Sequence, residues 1–372
     1  MSTEAGRITE QGIDDLRERI GRPIPRSQPH IEVATKDAIR HFAHGIGDSN
    51  PLWTDEDYAC GTRHNGLLAP PCILFAMDKN VSGYIGGLPG VHGLFAGTNW
   101  TWYRPIRVGD EIKGRAYLKD VVVKENSKFA GKTVIQYYQV DFFDHSQAKV
   151  AEAVYWGIRT ERTSARDIGS YKEFQPKKYT PDEIQALRKH YEGEVPRGAQ
   201  TRYWDDVTDE EVLPTVLKGP LTVTGMIAFI AGWGGLYVRA HRLAMEQATR
   251  HPSLGIPNAM GVPEPPEVVH WDSDFARSIG APSAYDYGPE RVSWLGHLMT
   301  DWIGDDGFLC RLNVQVNRIN ALGDVTWCKG RVKRKYVQDG RSLVDCEVWA
   351  ENQSGIVTAK GDATAELIAR TH

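Results

Sequence analysis

The chain is poor in cysteine, and none of its cysteines is placed for the chemistry cysteine usually does. Cys60, Cys72, Cys310, Cys328 and Cys346 are spread over 372 residues. No two stand at the two-residue spacing of a structural zinc site or a redox dithiol, so neither is predicted. Buried, reduced thiols in a cytoplasmic protein are the expectation. No apolar run approaches the length of a membrane span. The first residues, MSTEAGRITEQGIDDLRERIGRPIP, lack the apolar core of a signal peptide and carry several acids, so no targeting segment is predicted. Charge of one sign is also missing: 44 basic residues stand against 48 acidic ones, net −4, and the basic residues form no run. Nucleic acid and anionic membranes are therefore not predicted partners. The glycine-rich stretch Gly83-Tyr-Ile-Gly-Gly-Leu-Pro-Gly-Val-His-Gly has no Gly-Lys-Ser/Thr after it, and Gly-x-Ser-x-Gly is absent. This disfavours a phosphate loop and a nucleophile-elbow hydrolase.

What the chain does have is a duplication. Arg104-Pro-Ile-Arg-Val-Gly109-Asp110 recurs as Arg318-Ile-Asn-Ala-Leu-Gly323-Asp324, with the same Arg-x4-Gly-Asp spacing. Gly-Asp suits a turn, because glycine accepts positive φ and Asp can bond nearby backbone. Upstream, Trp53-Thr-Asp55-Glu-Asp57-Tyr58-Ala59 parallels His270-Trp-Asp272-Ser-Asp274-Phe275-Ala276. Two matched pairs in the same order point to two copies of one unit.

The local patterns agree. Residues 69–81, APPCILFAMDKNV, have helical spacing opened by proline. Strand-like runs follow at 94–104, 111–124, 132–144 and 149–160. The second copy opens a helix at Gly288-Pro289 with ERVSWLGHLMTDWIG. Its strand-like runs lie at 308–318, 325–337, 342–352 and 356–367. Each copy is predicted to be one central helix wrapped by an antiparallel sheet, an α+β architecture. The expected organisation is an N-terminal extension at 1–28, a first unit at 29–164, a linker with one short helix (PDEIQALRKHY) at 165–205, and a second unit at 206–372. Residues 222–251 read as one long helix, followed by an inserted loop, PSLGIPNAMGVPEPPEVV, that leads to His270.

At these residues the chain resembles the MaoC-like dehydratases, including their FAS1-like branch, over about 30–160 and 205–365. The resemblance implies two tandem hotdog domains (a double hotdog) and reversible hydration of a trans-2-enoyl thioester. The family motif Asp-x-Asn-Pro-x-His is matched by Asp48, Asn50 and Pro51, but Trp53 stands at the histidine position, and an indole nitrogen only donates. Where the family has the glycine that opens the hotdog helix and gives its N–H to the enolate oxygen, the first unit has Ala69-Pro70-Pro71, and proline has no N–H. The second unit carries His270 at the histidine position and Tyr287-Gly288 at the helix start, but lacks the Asp-x-Asn-Pro before it.

The expected working site is therefore in the second unit. His270 acts on water, Gly288 is the oxyanion donor, and the carboxylate partner is one of Glu264, Glu267, Asp272 and Asp286. Asp48 is a further catalytic candidate, conditional on the two pseudo-equivalent sites approaching each other. Asn50, Trp53, His64, Trp271, Asp272, Asp286 and Tyr287 are expected to line substrate. Arg104 and Arg318, at the repeated turns, are placed to meet coenzyme A phosphates. No metal is expected, and no cofactor beyond the coenzyme A of the substrate. Eleven tryptophans, with the long insertion, suggest a bulky acyl group. A homo-oligomer, or a complex with another hotdog subunit, is the expected assembly. The other readings are a non-catalytic acyl-CoA-binding subunit, suggested by the broken motif, and a thioesterase.

Overall fold

A computed structural model describes residues 6–26, 28–127, 131–161, 175–278 and 281–370. Residues 165–174 of the expected linker fall outside them. The first half contains α1 (Glu10–Arg17), β1 (Pro23–Ile24), α2 (Lys36–Gly45), α3 (Pro51–Thr54), α4 (Glu56–Cys60) and α5 (Leu74–Met77), then β2 (His92–Trp102), β3 (Ile112–Ser127), β4 (Gly131–Asp144) and β5 (Lys149–Thr160). The second contains α6 (Pro181–Gly193), β6 (Val216–Lys218), α7 (Val223–Trp233), α8 (His241–Arg250), the two-residue strands β7 (Ile256–Pro257) and β8 (Pro263–Glu264), α9 (Ser273–Ser278) and α10 (Gly288–Ile303). It ends with β9 (Phe308–Val316), β10 (Thr326–Gln338), β11 (Arg341–Asn352) and β12 (Val357–Glu366).

The halves share one ten-stranded sheet, in the order β1-β3-β4-β5-β2-β9-β12-β11-β10-β6. Its centre is the antiparallel pairing of β2 with β9, where Asn99 lies opposite Asn313. Val154 of β5 flanks Asn99 on one side, and Asp362 of β12 flanks Asn313 on the other. A half-turn about this point exchanges the two halves and carries Arg104 onto Arg318. The duplication read in the sequence is thus a two-fold pseudo-symmetry of the sheet. Both Gly-Asp turns take the same form. Gly109 and Gly323 sit at φ 90° and 87°. Asp110 accepts the Arg107 N–H at 2.8 Å, and Asp324 accepts the Ala321 N–H at 2.9 Å.

The central helices differ more than their sequences suggest. α10 runs sixteen residues and is buried on almost every side. Pro289 occupies its first turn, and Glu290 reaches back to the Tyr287 N–H at 3.4 Å. A helix buried all round must partner each charge it carries, and α10 carries Arg291, His297 and Asp301. The first-half counterpart is only a 3-10 turn at Pro71–Ile73 and the short α5. The pattern at 69–81 reads as a longer helix, but Asp78 turns extended and its carboxylate takes the Asn80 N–H at 2.7 Å. That local bond competes with the helical ladder and ends it. The helix expected over 222–251 is likewise two helices. Gly234 and Gly235, both at positive φ (89° and 65°), terminate α7. Trp100 stacks on Trp102 at 5.3 Å and meets Phe75 edge-on at 5.0 Å, so these rings fill the core.

The sheet centre leaves no room at one glycine. A Cβ on Gly361 of β12 would lie 1.7 Å from the Asn313 carbonyl oxygen, whereas one on Gly193 meets nothing within 4 Å. Gly361→Ala is expected to lower unfolding free energy by about 2 kcal/mol or more, read from the urea midpoint. Gly193→Ala should leave it unchanged or slightly raised. Equal midpoints for the two variants would contradict the tight central register.

Candidate functional site

A cavity of about 800 Å³ opens between the halves. The second half supplies the chemistry-bearing wall: Pro266–His270, Tyr285–Pro289 and Arg318. The first half supplies an apolar one, with Leu94 and Phe95 of β2, Ile135 of β4, and Trp156 and Ile158 of β5. The glycine-rich loop from Gly83 to Gly93 forms part of the rim. Arg159 holds it, donating to the carbonyls of Gly87 (2.9 Å), Leu88 (2.5 Å) and Val91 (2.8 Å).

His270 ends a five-residue 3-10 turn, Pro266–His270. Its Nδ1 lies 2.7 Å from the Tyr285 carbonyl oxygen, which makes Nδ1 the donor and leaves Nε2 as the ring's basic nitrogen. The ring stacks on Tyr287 at 3.6 Å between centroids. Burial, the largest effect, pulls the His270 pKa down to about 3, so the imidazole is neutral at physiological pH. Next to Tyr287, Gly288 opens α10. Its N–H points out of the helix start, where the helix dipole favours negative charge, and it meets no acceptor among the described residues. Phe95 closes over this spot from the other half: a Cβ on Gly288 would be 2.2 Å from the Phe95 ring.

None of the four carboxylates weighed as partners hydrogen-bonds His270. Asp286 lines the cavity but forms a buried bidentate pair with Arg291, one bond at 2.7 Å. Breaking such a pair costs about 3–5 kcal/mol, so Asp286 is held in a structural role. Asp272 caps α9, accepting from the Asp274 and Phe275 N–H groups at 2.9 Å each. Glu264 lies on β8 outside the cavity, with Asn258 donating to it at 3.3 Å. Glu267 lines the cavity and is buried. Its oxygens accept the N–H groups of Leu236 (2.8 Å) and Tyr237, just past the Gly234-Gly235 break. Burial raises its pKa, against the pull of those N–H groups and of Lys79 and Arg239. Trp271 packs beside Val268, Val269 and Phe275, outside the cavity.

The pseudo-symmetry places a second site opposite the first, and there Asn50, Trp53, His64 and Arg104 gather. Its inner part, lined by Asn50, Trp53, Ala69 and Pro71, has shrunk to about 40 Å³. Its outer part remains as a groove of about 620 Å³ with a different lining. Counted from the residues flanking the central asparagines, Trp156 and Ile158 correspond to Thr364 and Glu366 there. Of the expected substrate-lining residues of the first half, Asn50 and Trp53 face the shrunken inner part, His64 lines the outer groove, and Arg104 lines both. Asn50 caps α3, accepting the Leu52 N–H at 2.9 Å. His64 is buried, its Nε2 2.8 Å from the Asp305 carbonyl. Arg104 is consumed by its own turn, bonded to Asp110 at 2.6 Å and to Asp144 at 3.2 Å, rather than free for a phosphate. Arg318, its counterpart, is exposed at the cavity and forms no ion pair among the described residues.

Asp48 is also absent from the His270 cavity. It lies in a buried cluster that joins the halves, which the sequence reading missed. Lys218 of β6 donates to the carbonyls of Ile46 (2.8 Å) and Gly47 (3.0 Å) and sits 2.7 Å from His297 Nδ1. With Nδ1 accepting from the ammonium, His297 Nε2–H faces Asp301 at 3.1 Å and Asp48 at 3.5 Å. Asp48, His297 and Asp301 bring their ligand atoms within 4.8 Å of one another, close enough for a metal. The Lys218 ammonium already supplies positive charge there, and a ring whose Nδ1 accepts a proton donor has its Nε2 protonated rather than free for a metal. The only local signal in the sequence is His297 and Asp301, one turn apart on an otherwise apolar helix.

Comparison with known proteins agrees with the geometry. Residues 19–153 match the FAS1-like dehydratase domain region. A UPF0336 protein of Streptomyces coelicolor is 31% identical over 98 residues, which is 25% of this chain and 64% of that relative. Among solved structures, a MaoC-like dehydratase aligns over 95% of this chain and all of its own, with TM-score 0.64 and 16% identity. A Mycobacterium tuberculosis protein with a double hotdog fold aligns over 96% of this chain and all of its own, with TM-score 0.57 and 12% identity. The fold is thus the double hotdog. No helix among the described residues is long and apolar enough to cross a membrane.

The cluster has a signed pH dependence. Burial lifts the Asp301 pKa to about 7, opposed by Lys218; unfolded, it titrates at about 4. The folded chain holds the extra proton between these values, so this contribution is complete at low pH and lost as pH rises through about 7. His297, pulled down to about 4 mainly by burial, acts oppositely, and only below its ordinary value of about 6.5. The other groups facing the cluster are Asp48, Glu194 and Lys218 itself; burial raises Glu194, which acts with Asp301, and lowers Lys218, which acts against it. Tm should therefore fall between about pH 6.5 and about pH 8, and Asp301→Asn should remove most of that fall. Parallel wild-type and mutant curves would contradict the assignment.

Proposed function

We propose that this double-hotdog chain, whose residues 19–153 match the FAS1-like dehydratase domain region, reversibly adds water to a trans-2-enoyl-CoA in the cavity around His270. The observation that carries this reading is the contrast between the two pseudo-equivalent sites. One is a cavity of about 800 Å³ with His270 and the Gly288 N–H at a helix start. The other keeps only about 40 Å³ beside Trp53 and Pro71, which stand in their places, and its remaining space is an outer groove of about 620 Å³ that neither of them lines. An enolate oxygen needs a preorganised donor, and a helix N-terminus supplies one. Water needs a base, and His270 Nε2 is a neutral acceptor in the same cavity.

In the hydration direction, Nε2 takes a proton from water as the oxygen bonds C3. The π pair moves toward the thioester carbonyl, whose oxygen is held by Gly288. A proton added at C2 completes the 3-hydroxyacyl product. Water is the only co-reactant, and no cofactor beyond coenzyme A takes part. The first half acts as the acyl-binding wall: Phe95, Ile135, Trp156 and Ile158 suit a bulky, ring-bearing acyl group, and Arg318 is placed for a coenzyme A phosphate. The proposed boundaries are 29–164 and 206–372, in a cytoplasmic protein that assembles with itself or with another hotdog chain.

A second reading, a non-catalytic subunit that holds acyl-CoA, is favoured by one observation: His270 has no carboxylate partner of the kind the Asp-x-Asn-Pro-x-His motif supplies. Loss of the enoyl-thioester absorbance, measured with crotonyl-CoA and ring-bearing enoyl-CoAs, separates the two. Wild-type turnover, faster with the ring-bearing substrates, is expected, and His270→Ala should lower kcat/KM by about a hundredfold or more. Because His270 titrates at about 3, wild-type activity should not be lost as pH falls through the ordinary histidine value of about 6.5. Tight acyl-CoA binding without turnover would favour the binding subunit, equal rates for short and bulky substrates would overturn the acyl-group assignment, and release of free thiol would indicate a thioesterase.

A further inference from the structure

Hydration requires a proton at C2 as well as a base for water, and these act on neighbouring carbons. The two groups must line one cavity but need not touch each other. Among the described residues, two carboxyl groups line the His270 cavity, Glu267 and Asp286. Asp286 is tied on both oxygens to Arg291, and Asn320 Nδ2 adds a third contact at 3.3 Å. Its side chain is wholly inaccessible. Glu267 forms no ion pair among the described residues. It precedes His270 by three positions within the 3-10 turn Pro266–His270. In such a turn, side chains at i and i+3 eclipse, so Glu267 and His270 project on the same side. Its carboxyl is oriented by the Leu236 and Tyr237 N–H groups. Gly235 is pressed against it: a Cβ there would be 3.1 Å from Glu267 Oε1.

From this arrangement we infer that Glu267 is the catalytic acid that protonates C2, working from the same side of the substrate as His270. The inference rests on the hydratase reading above. His270 Nε2 takes a proton from water as the C3–O bond forms. The enolate held at Gly288 collapses as its C2 takes the proton of the Glu267 carboxyl. The proton on His270 then returns to the Glu267 carboxylate through solvent. The sum is addition of one water, with both groups restored. Burial favours the protonated carboxyl that this role needs, and the N–H groups of Leu236 and Tyr237, with Lys79 and Arg239, oppose it. Tyr287, whose hydroxyl has no partner among the described residues, adds no cation to that balance. This places the acid three residues before the histidine, in the inserted loop, and not in an Asp-x-Asn-Pro segment.

The test compares wild type with Glu267→Gln and Glu267→Asp, reading kcat against pH, deuterium uptake at C2 from D2O, and the Kd of a saturated acyl-CoA. An acid must be protonated to act, so wild-type kcat should fall as pH rises through the Glu267 pKa. Glu267→Gln should lose kcat by about a hundredfold or more, lose C2 exchange, and keep Kd within about threefold. Glu267→Asp should keep part of the activity together with the alkaline fall. Should Glu267→Gln not fold, the aspartate variant carries the test, and full activity without the alkaline fall would overturn the inference. A glutamine variant with kcat within about threefold of an active wild type would overturn it alone, and would leave Glu267 as a clamp on the 234–237 turn. A wild type inert with every enoyl-CoA and in exchange would overturn the hydratase reading as well.

Discussion

The antiparallel pairing of β2 with β9, centred on Asn99 opposite Asn313, is the constraint on which the rest of the structure depends. It makes one ten-stranded sheet from two five-stranded halves and places their helix starts on opposite sides of a two-fold axis. Slipping the register by one residue would turn Trp100 and Leu312 out of the core, and both are fully buried. The same pairing brings β4 and β5 of the first half beside the 3-10 turn and helix start of the second. The cavity therefore belongs to neither half alone.

Within that symmetric frame the two sites have diverged. On one side the helix keeps a glycine at its first position, and an aromatic ring from the other half packs on it. On the other side, prolines open a helix that stops within two turns, and the inner part of the space has filled. Divergence also changed the equivalent arginines. Arg104 is bound into its own turn by Asp110 and Asp144. In the second copy Gln353, not the arginine, bonds Asp324, at 2.6 Å. The matched turn serves structure on both sides, but only in the second copy does its arginine, Arg318, stand at the His270 cavity with no ion pair among the described residues.

Much of this was legible in the sequence. Strands announce themselves through a local period of two, and all eight long strands fall within three residues of where they are read. The repeated Arg-x4-Gly-Asp turns and the His270 and Gly288 positions follow from comparing one half with the other. What the sequence did not reveal depends on contacts between distant segments. Lys218 is 79 residues from His297 and 171 from Gly47, so nothing local marks it as the cation of a buried cluster. Asp48 stands in a recognisable motif fragment, yet its partners come from α10. Which of Glu267 and Asp286 is taken up in an ion pair depended on Arg291, whose charge had to be neutralised inside a buried helix.

The central claim is that ligand occupies the cavity around His270 and not its pseudo-equivalent. Amide hydrogen exchange of the whole chain with and without a saturating 3-hydroxyacyl-CoA tests this directly. Slowed exchange is expected at 83–96, 234–237, 266–270 and 285–289, with no change at 50–71. Protection at 50–71 and 101–105, with none around His270, would contradict the account and place the ligand in the other half.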